Sequence, residues 1–527
     1  MKYLSMIVGI LGVVAYLTAP AGAQEKRFRY AYQSDILSMD PYARAENFSL
    51  SVLNNIYEPL SQYNEKLEIE PALAESWSMI NPTTWRFKLR HGIKFHDGAA
   101  FNADDVVFSF NRATAKGADM GPYVGTIEKA VKVDEFTVDL ITKEINTLLP
   151  STIAFWYIMD REWAEANGAE NPVDLAENIE NFATTNANGT GPFRLASREP
   201  GVRTAFSANT NWWGAKTKRF NVSSVVFTPI ASDATRTAAL LSGELDTMFP
   251  VPVQDTAQIE SSGVATVLQS PALRTIFFGM DLKRDKLLNS PIDGPNPFLD
   301  KRVRQAIYHA IDAEAIRSRV MRGASTPTAL IMAPGVGGFN PELNKRLPYD
   351  PDKSKKLLAD AGYGNGFELQ MECPNDRFVN DEQICQVVTN MLAKIGIKVN
   401  LLAQTKSKFF GRLTKHEVDF FMMGWIPDDL DAGSVIAHLL LPPEEGGLAY
   451  NGGRYGNPRI SELSKKINVE SDPAKRQAMM DEVFRVMQSD VAYIPLHQQA
   501  LSWGVRKGVS VAQRADNALL YKYINIK

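Results

Sequence analysis

The stretch from Glu70 to Ala113, EPALAESWSMINPTTWRFKLRHGIKFHDGAAFNADDVVFSFNRA, constrains the fold of this chain more than any other. Within it Trp85, Phe87 and Leu89 alternate with Arg86, Lys88 and Arg90. That period of two is what a half-buried strand requires, because successive side chains point to opposite faces. His91-Gly92 ends the strand, Ile93 and Phe95 resume the alternation, and Asp97-Gly98 is a turn dipeptide. Asn102 with Asp105 three residues on has capping-box spacing, each side chain satisfying an orphan amide at the start of a helix that carries Val106, Val107 and Phe110. His91, His96 and Asp97 are accordingly read as fold and turn residues.

The 527 residues exceed what one core holds, since single cores stop growing at about 250 to 300 residues, so two or three domains are expected. Apolar residues at 45% and charged residues at 22% are the composition of a soluble globular protein. A formal net charge of −3 without a basic stripe argues against nucleic acid or an anionic membrane as partner. Lys2, the apolar run Ile7 to Leu17 and Ala21-Gly22-Ala23 read as a cleavable signal peptide over residues 1–23, which implies a periplasmic product. No cysteine at that junction offers a lipid anchor, and no later apolar run is long enough to span a bilayer. Cys373 and Cys385 are the only cysteines, and in an oxidising compartment they are expected to form a disulfide.

LAESW followed by FKLRHGIKFHDGAAFNADDVVFSF resembles the signature of the extracellular solute-binding protein family 5, the peptide- and nickel-binding receptors of bacterial ABC importers. The resemblance implies an α/β fold of the periplasmic binding protein type II kind, two lobes with a hinge plus an extra α+β domain. Chain order then assigns residues 24–62, 185–271 and 495–527 to a discontinuous lobe I, 63–184 to the extra domain and 272–494 to lobe II. GTGPFRL and FSANTNWWG match the segments where the family chain returns to its first lobe, so Trp212 and Trp213 are read as packing residues rather than a ligand platform.

Further along, Ser151 to Asn167 reads as one aromatic-rich helix, and Asp300 caps a helix over DKRVRQAIYHAIDAEAI. Asp350-Pro351 starts another that ends at Gly362. Phe367, Leu369 and Met371 form a strand, Asp381 to Ile395 a helix, and Ile397, Val399 and Leu401 a second strand, a crossover that implies a parallel pair. A further strand, Val418 to Trp425, leads into IPDDLDAG.

Ligands of open α/β sheets bind beyond the carboxyl ends of the strands, where two loops fall. The Cys373 to Asp381 loop carries Arg377, suited to a carboxylate unless it pairs with Asp376 or Asp381; the loop after Trp425 carries Asp428, Asp429 and Asp431, suited to an ammonium. Together they fit a zwitterion. The family resemblance implies that Asp428, shortly after Gly424-Trp425, holds a ligand's α-amino group, and it places the dipeptide binders' carboxylate-binding arginine at Asn375, two residues before Arg377. Trp425 is expected at the pocket wall, and Asp431 as a helix cap. No GxSxG, HExxH, Walker or Rossmann pattern occurs, and the six histidines are scattered without zinc-type spacing. Neither a catalytic apparatus nor a cofactor or metal site is therefore expected. The expected function is a monomeric substrate-binding component of an ABC transporter that delivers a peptide or peptide-like solute to its permease subunits. An opine-like, sugar-containing or nickel-chelate solute, or a periplasmic peptidase, are the alternatives.

Overall fold

The computed structural model of the chain describes residues 26–174, 179–216, 220–427, 430–448 and 450–527. The expected signal segment 1–23, Asp428 and Asp429 lie outside the described residues. One large sheet organises the molecule, in the order Ile397–Gln404, Phe367–Pro374, Phe420–Trp425, Ala265–Met280, Tyr493–Arg506, Thr247–Met248, Arg27–Tyr32, Ser224–Pro229, Arg203–Ala208, Phe193–Glu199. Ser325–Pro327 pairs with Tyr493–Arg506 beside this path.

Two strands belong to both halves of the sheet. Ala265–Met280 and Tyr493–Arg506 have 16 and 14 residues, against the roughly 5 or 6 of an ordinary strand. Residues 265–271 pair with 500–506, and 275–279 pair with 493–498. Between the two registers Ala272, Leu273 and Arg274 stand opposite Gln499 alone. Such a bulge bends and twists the ladder, and it falls where the sheet passes from one half to the other.

In the half formed by the later residues, Phe367–Pro374 is parallel to both Ile397–Gln404 and Phe420–Trp425. The helix Asp381–Ala393 makes the crossover and buries Ile384, Val388 and Leu392 in a core with Phe278 and Phe420. The helices Pro458–Ile467 and Pro473–Asp490 cover the opposite face, where Ile460, Val483 and Phe484 meet Met423. Cys373 and Cys385 are bonded at 2.11 Å with Cα atoms 6.7 Å apart, so the expected disulfide joins the strand end to the crossover helix.

The signature stretch folds as its chemistry indicates. Ala74–Asn81 and Thr84–Leu89 join Thr137–Thr142 and Ile127–Asp134 in a separate antiparallel sheet of four strands. Asn102 and Asp105 form the capping box of Ala103–Ala113. The His96 Nε2 lies 3.0 Å from the Gly191 carbonyl and its Nδ1 accepts from the Gly189 amide at 3.4 Å, tying the hairpin to the returning chain. Burial above all lowers the His96 pKa to about 4, so the ring is neutral at pH 7. Nearby, the Trp212 and Trp213 indoles donate to the buried Glu58 carboxylate at 3.0 and 2.8 Å, and the Thr190 hydroxyl does so at 2.9 Å. Both tryptophans thus lock the chain's return to the first half. The two ends of the described chain also meet there: the Tyr30 and Tyr521 hydroxyls are 2.8 Å apart, and the Lys26 ammonium donates to the Ile526 carbonyl at 2.6 Å.

Two expected helices are broken. Ser151 to Asn167 becomes Leu149–Thr152, a single 3₁₀ turn Ile153–Phe155, an extended link, and Arg161–Ala166. Trp156, Tyr157, Ile158 and Met159 are all buried, leaving no solvent face for a helix. The link instead bonds to neighbouring chain, Tyr42 donating to the Tyr157 carbonyl at 2.6 Å and the Ile158 amide to Glu58 at 3.0 Å. The Asp300 helix stops at Ala310 because Asp312 accepts from the Ala315 amide at 2.9 Å and starts a new segment.

Candidate functional site

A cavity of about 640 Å³ opens at the seam between the two halves. That volume is within the range of about 300 to 1,000 Å³ common to small-molecule sites. It gathers the carboxyl ends of parallel strands from both sides: Tyr32 ends Arg27–Tyr32, residues 376–380 follow Phe367–Pro374, and Ile426 follows Phe420–Trp425.

One wall is aromatic. Tyr32 and Phe48 stack with ring centroids 3.9 Å apart and an interplanar angle of 17°. Burial, with help from Glu46, raises the Tyr32 pKa, while Arg274 and Arg377 oppose it, so both guanidinium groups act on this ring across the cavity. The opposite wall is cationic. Arg274 emerges from the bulge and Arg377 from the loop after Phe367–Pro374, with guanidinium carbons 5.6 and 5.4 Å from the Phe378 ring centroid. Burial, and next the neighbouring charge of Arg377, lowers the Arg274 pKa to about 9.

The acidic side chains on the lining are otherwise engaged. Glu46 caps the helix Asn47–Leu53 by accepting from the Phe48 and Ser49 amides, and Asp376 accepts from the Lys406 amide at 2.5 Å. Asp233 pairs with Arg236, and Asp516 with Arg514. Asp381, at the start of the crossover helix, accepts from the Arg377 and Phe378 amides at 2.9 and 3.0 Å, so it shapes the loop rather than neutralising the Arg377 guanidinium. Among the described residues neither Arg274 nor Arg377 has a carboxylate partner.

The residues singled out from sequence are distributed as follows. Arg377 lines the cavity, while Asn375 is exposed on the same loop and its amide donates to the Gln404 carbonyl at 3.0 Å. Trp425 lies against His438 and Tyr450, at centroid distances of 4.6 and 5.4 Å, and the following residue, Ile426, lines the cavity. Asp431 caps Ala432–Val435 and holds Arg476 through two 2.7 Å contacts. Asp428 and Asp429 are outside the described residues. Sequence reading missed Tyr32, Phe48, Phe378 and Arg274. The signal for Arg274 was a lone charge in the apolar run ALRTIFFGM.

Asp105, Asp160 and Glu162 are the one group of three close metal-type donors among the described residues, and each of the two buried ones already caps a helix. No described helix is long and apolar enough to cross a membrane.

Comparison with known proteins agrees with this architecture. Glutathione-binding protein GsiB of Shigella dysenteriae is 25% identical over 494 residues, covering 92% of this chain and 91% of that protein. The structure of HbpA2 from Haemophilus parasuis superposes with a TM-score of 0.82 at 23% identity, over 95% of this chain and 100% of that one. DppA from Helicobacter pylori, an ABC transporter-associated periplasmic binding protein solved with the peptide STSA, gives 0.74 at 23% identity, over 95% and 98%. The fold is that of the type II periplasmic binding proteins. Residues 68–446 match the model of the bacterial extracellular solute-binding proteins, family 5, and the chain belongs to that family of solute-binding proteins.

Proposed function

We propose that this protein captures a peptide or peptide-like solute in the seam cavity and passes it unaltered to the permease subunits of an ABC importer. The observation that carries this reading is the cavity itself: about 640 Å³, set where the sheet changes register, with an aromatic wall facing two guanidinium groups that have no carboxylate partner among the described residues. Stacked rings accept the apolar side chains of a short peptide, and a guanidinium fork accepts its carboxylate. The names of the relatives lend support, GsiB being called glutathione-binding and DppA having been solved with a peptide.

In this reading residues 24–62, 185–271 and 495–527 form lobe I, 272–494 form lobe II, and 63–184 are the extra domain. Closure of the lobes buries the solute and creates the surface the permease recognises. Arg377 takes a carboxylate, Asp428 the ammonium, and Asn375, Trp425 and Asp429 frame them. Residues 1–23 are a cleaved signal, and the mature protein works in the periplasm as a monomer with no chemical step of its own.

Native mass spectrometry of protein purified without refolding, followed by calorimetric titration with short peptides, tests the reading. Retained or added peptide of unchanged mass supports it, whereas cleaved peptide products would establish an enzyme instead. Asp428→Ala should weaken binding by about 2 to 5 kcal/mol, the cost of leaving a buried ammonium unpaired; an unchanged titration removes Asp428 from the site.

A further inference from the structure

We propose that Arg274 and Arg377 form a paired guanidinium subsite that selects solutes bringing two acidic groups, with one group met by the arginine of the hinge bulge. This deepens the peptide reading above and rests on it.

The pairing is geometric first. Both guanidinium groups lie over one ring, and that ring is fixed: Phe378 is buried, its amide donates to Asp381 at 3.0 Å, and Gly424 on the neighbouring strand leaves no room behind it. The two cations are therefore held on a common support. Each lines the cavity, and the acids that share the lining are committed to helix caps, loop amides or other arginines.

Electrostatics then narrows the occupant. The lowered pKa of Arg274 records two costs, burial of its charge and the presence of Arg377, that no described carboxylate offsets. With Asp428 engaged by the ligand's ammonium and no described carboxylate on either arginine, one ligand carboxylate would relieve one arginine and leave the other unmatched. A solute with two acidic groups meets both, each through the bidentate geometry that guanidinium favours. A neutral peptide of the same shape leaves the half-buried Arg274 charge without a partner, and a monoacidic one satisfies only one of the two cations, the exposed Arg377 or Arg274 beside it, which is how a site ranks otherwise similar ligands.

The position of Arg274 links charge to closure. It is the last of the three bulge residues opposite Gln499, at the point where the two long strands change register. An anion bound to it draws the hinge and the Arg377 loop toward one ligand, so the closed form gains contacts that the open form lacks. Such differential contact is what shifts a two-state equilibrium.

The test compares three probes on the wild-type protein by calorimetry at low salt: glutathione, which carries two carboxylates, its glycyl monoethyl ester, and trialanine. Glutathione should bind at least tenfold more tightly than either of the others, and in one of the two variants Arg274→Gln and Arg377→Gln the penalty for the ester should disappear. Arg274→Lys, which keeps the charge, should retain part of the preference and controls for folding. Three wild-type affinities within threefold of one another would overturn the paired subsite while leaving the peptide reading intact. If none of the peptides binds, the peptide reading falls, and glutarate decides the subsite. A rise in melting temperature with glutarate that Arg274→Gln abolishes supports it, and no rise overturns it.

Discussion

Opening the Cys373–Cys385 bridge separates the stability of the cationic loop from its geometry. The bridge spans 12 residues of sequence and encloses the whole loop that carries Arg377. Loop-closure entropy for that length contributes about 3 kcal/mol, close to a hundredfold in the unfolding equilibrium of the surrounding half. Both sulfurs are buried among Leu369, Ile384 and Val388, so reduction that leaves them in place changes the unfolded chain far more than the folded one. The loop has independent anchors: Asp381 holds the Arg377 and Phe378 amides, and the Asn380 side chain donates to the Val320 carbonyl at 2.9 Å. Hydrogen exchange of the amides in Phe367–Pro374 and Asp381–Ala393 should therefore quicken about a hundredfold in the reduced protein where exchange requires unfolding. Solute affinity should change by less than threefold. Equal protection in both redox forms would refute the entropic argument, and a tenfold loss of affinity with protection intact would show that the bridge itself shapes the loop.

Two further outcomes follow from packing and from charge. In Gly424→Ala the new Cβ would stand 2.7 Å from Ile276 Cδ1 and 2.8 Å from Phe378 Cε1, so it should cost about 1 to 3 kcal/mol and weaken solute binding by moving the ring under both arginines. Gly411→Ala, with nothing within 4 Å, is the control, and equal titrations of the two variants would contradict the account. Burial first, and then Asp419, raises the Glu372 carboxyl to about 7 against Gln370 and Arg412. Its pKa is raised in the folded state, so its stabilising share is full below the unfolded carboxylate pKa and is lost as pH climbs through about 7. Glu372→Gln should flatten that decline, worth about 3 kcal/mol, and urea midpoints at pH 5 and 8 that fall equally in both proteins would refute it.

What the sequence revealed was whatever local chemistry decides. The Asn102–Asp105 box, the Asp300 and Asp350 caps and the crossover between the parallel strands depend on residues a few positions apart, and each was legible. The helix expected over 151–167 failed because its periodicity was overridden by burial on every side, with partners as distant as Tyr42 and Glu58. The same limit applied to the site. Arg377 was recoverable from its place after a strand, but Arg274 acquires its role only through the register shift against Gln499, and Tyr32 and Phe48 reach the cavity from the other half of the sheet.

The meeting of Tyr30 with Tyr521, and of Lys26 with Ile526, sets the order in which this chain can mature. Strand Arg27–Tyr32 also needs Ser224–Pro229 and Thr247–Met248 as neighbours, so its sheet assembles only after hundreds of intervening residues exist. Contacts of such long sequence separation form late and slowly. A nascent chain therefore stays without a finished first half until residues 521–526 have been made, and for that interval strand Arg27–Tyr32 lacks the partners that hold it.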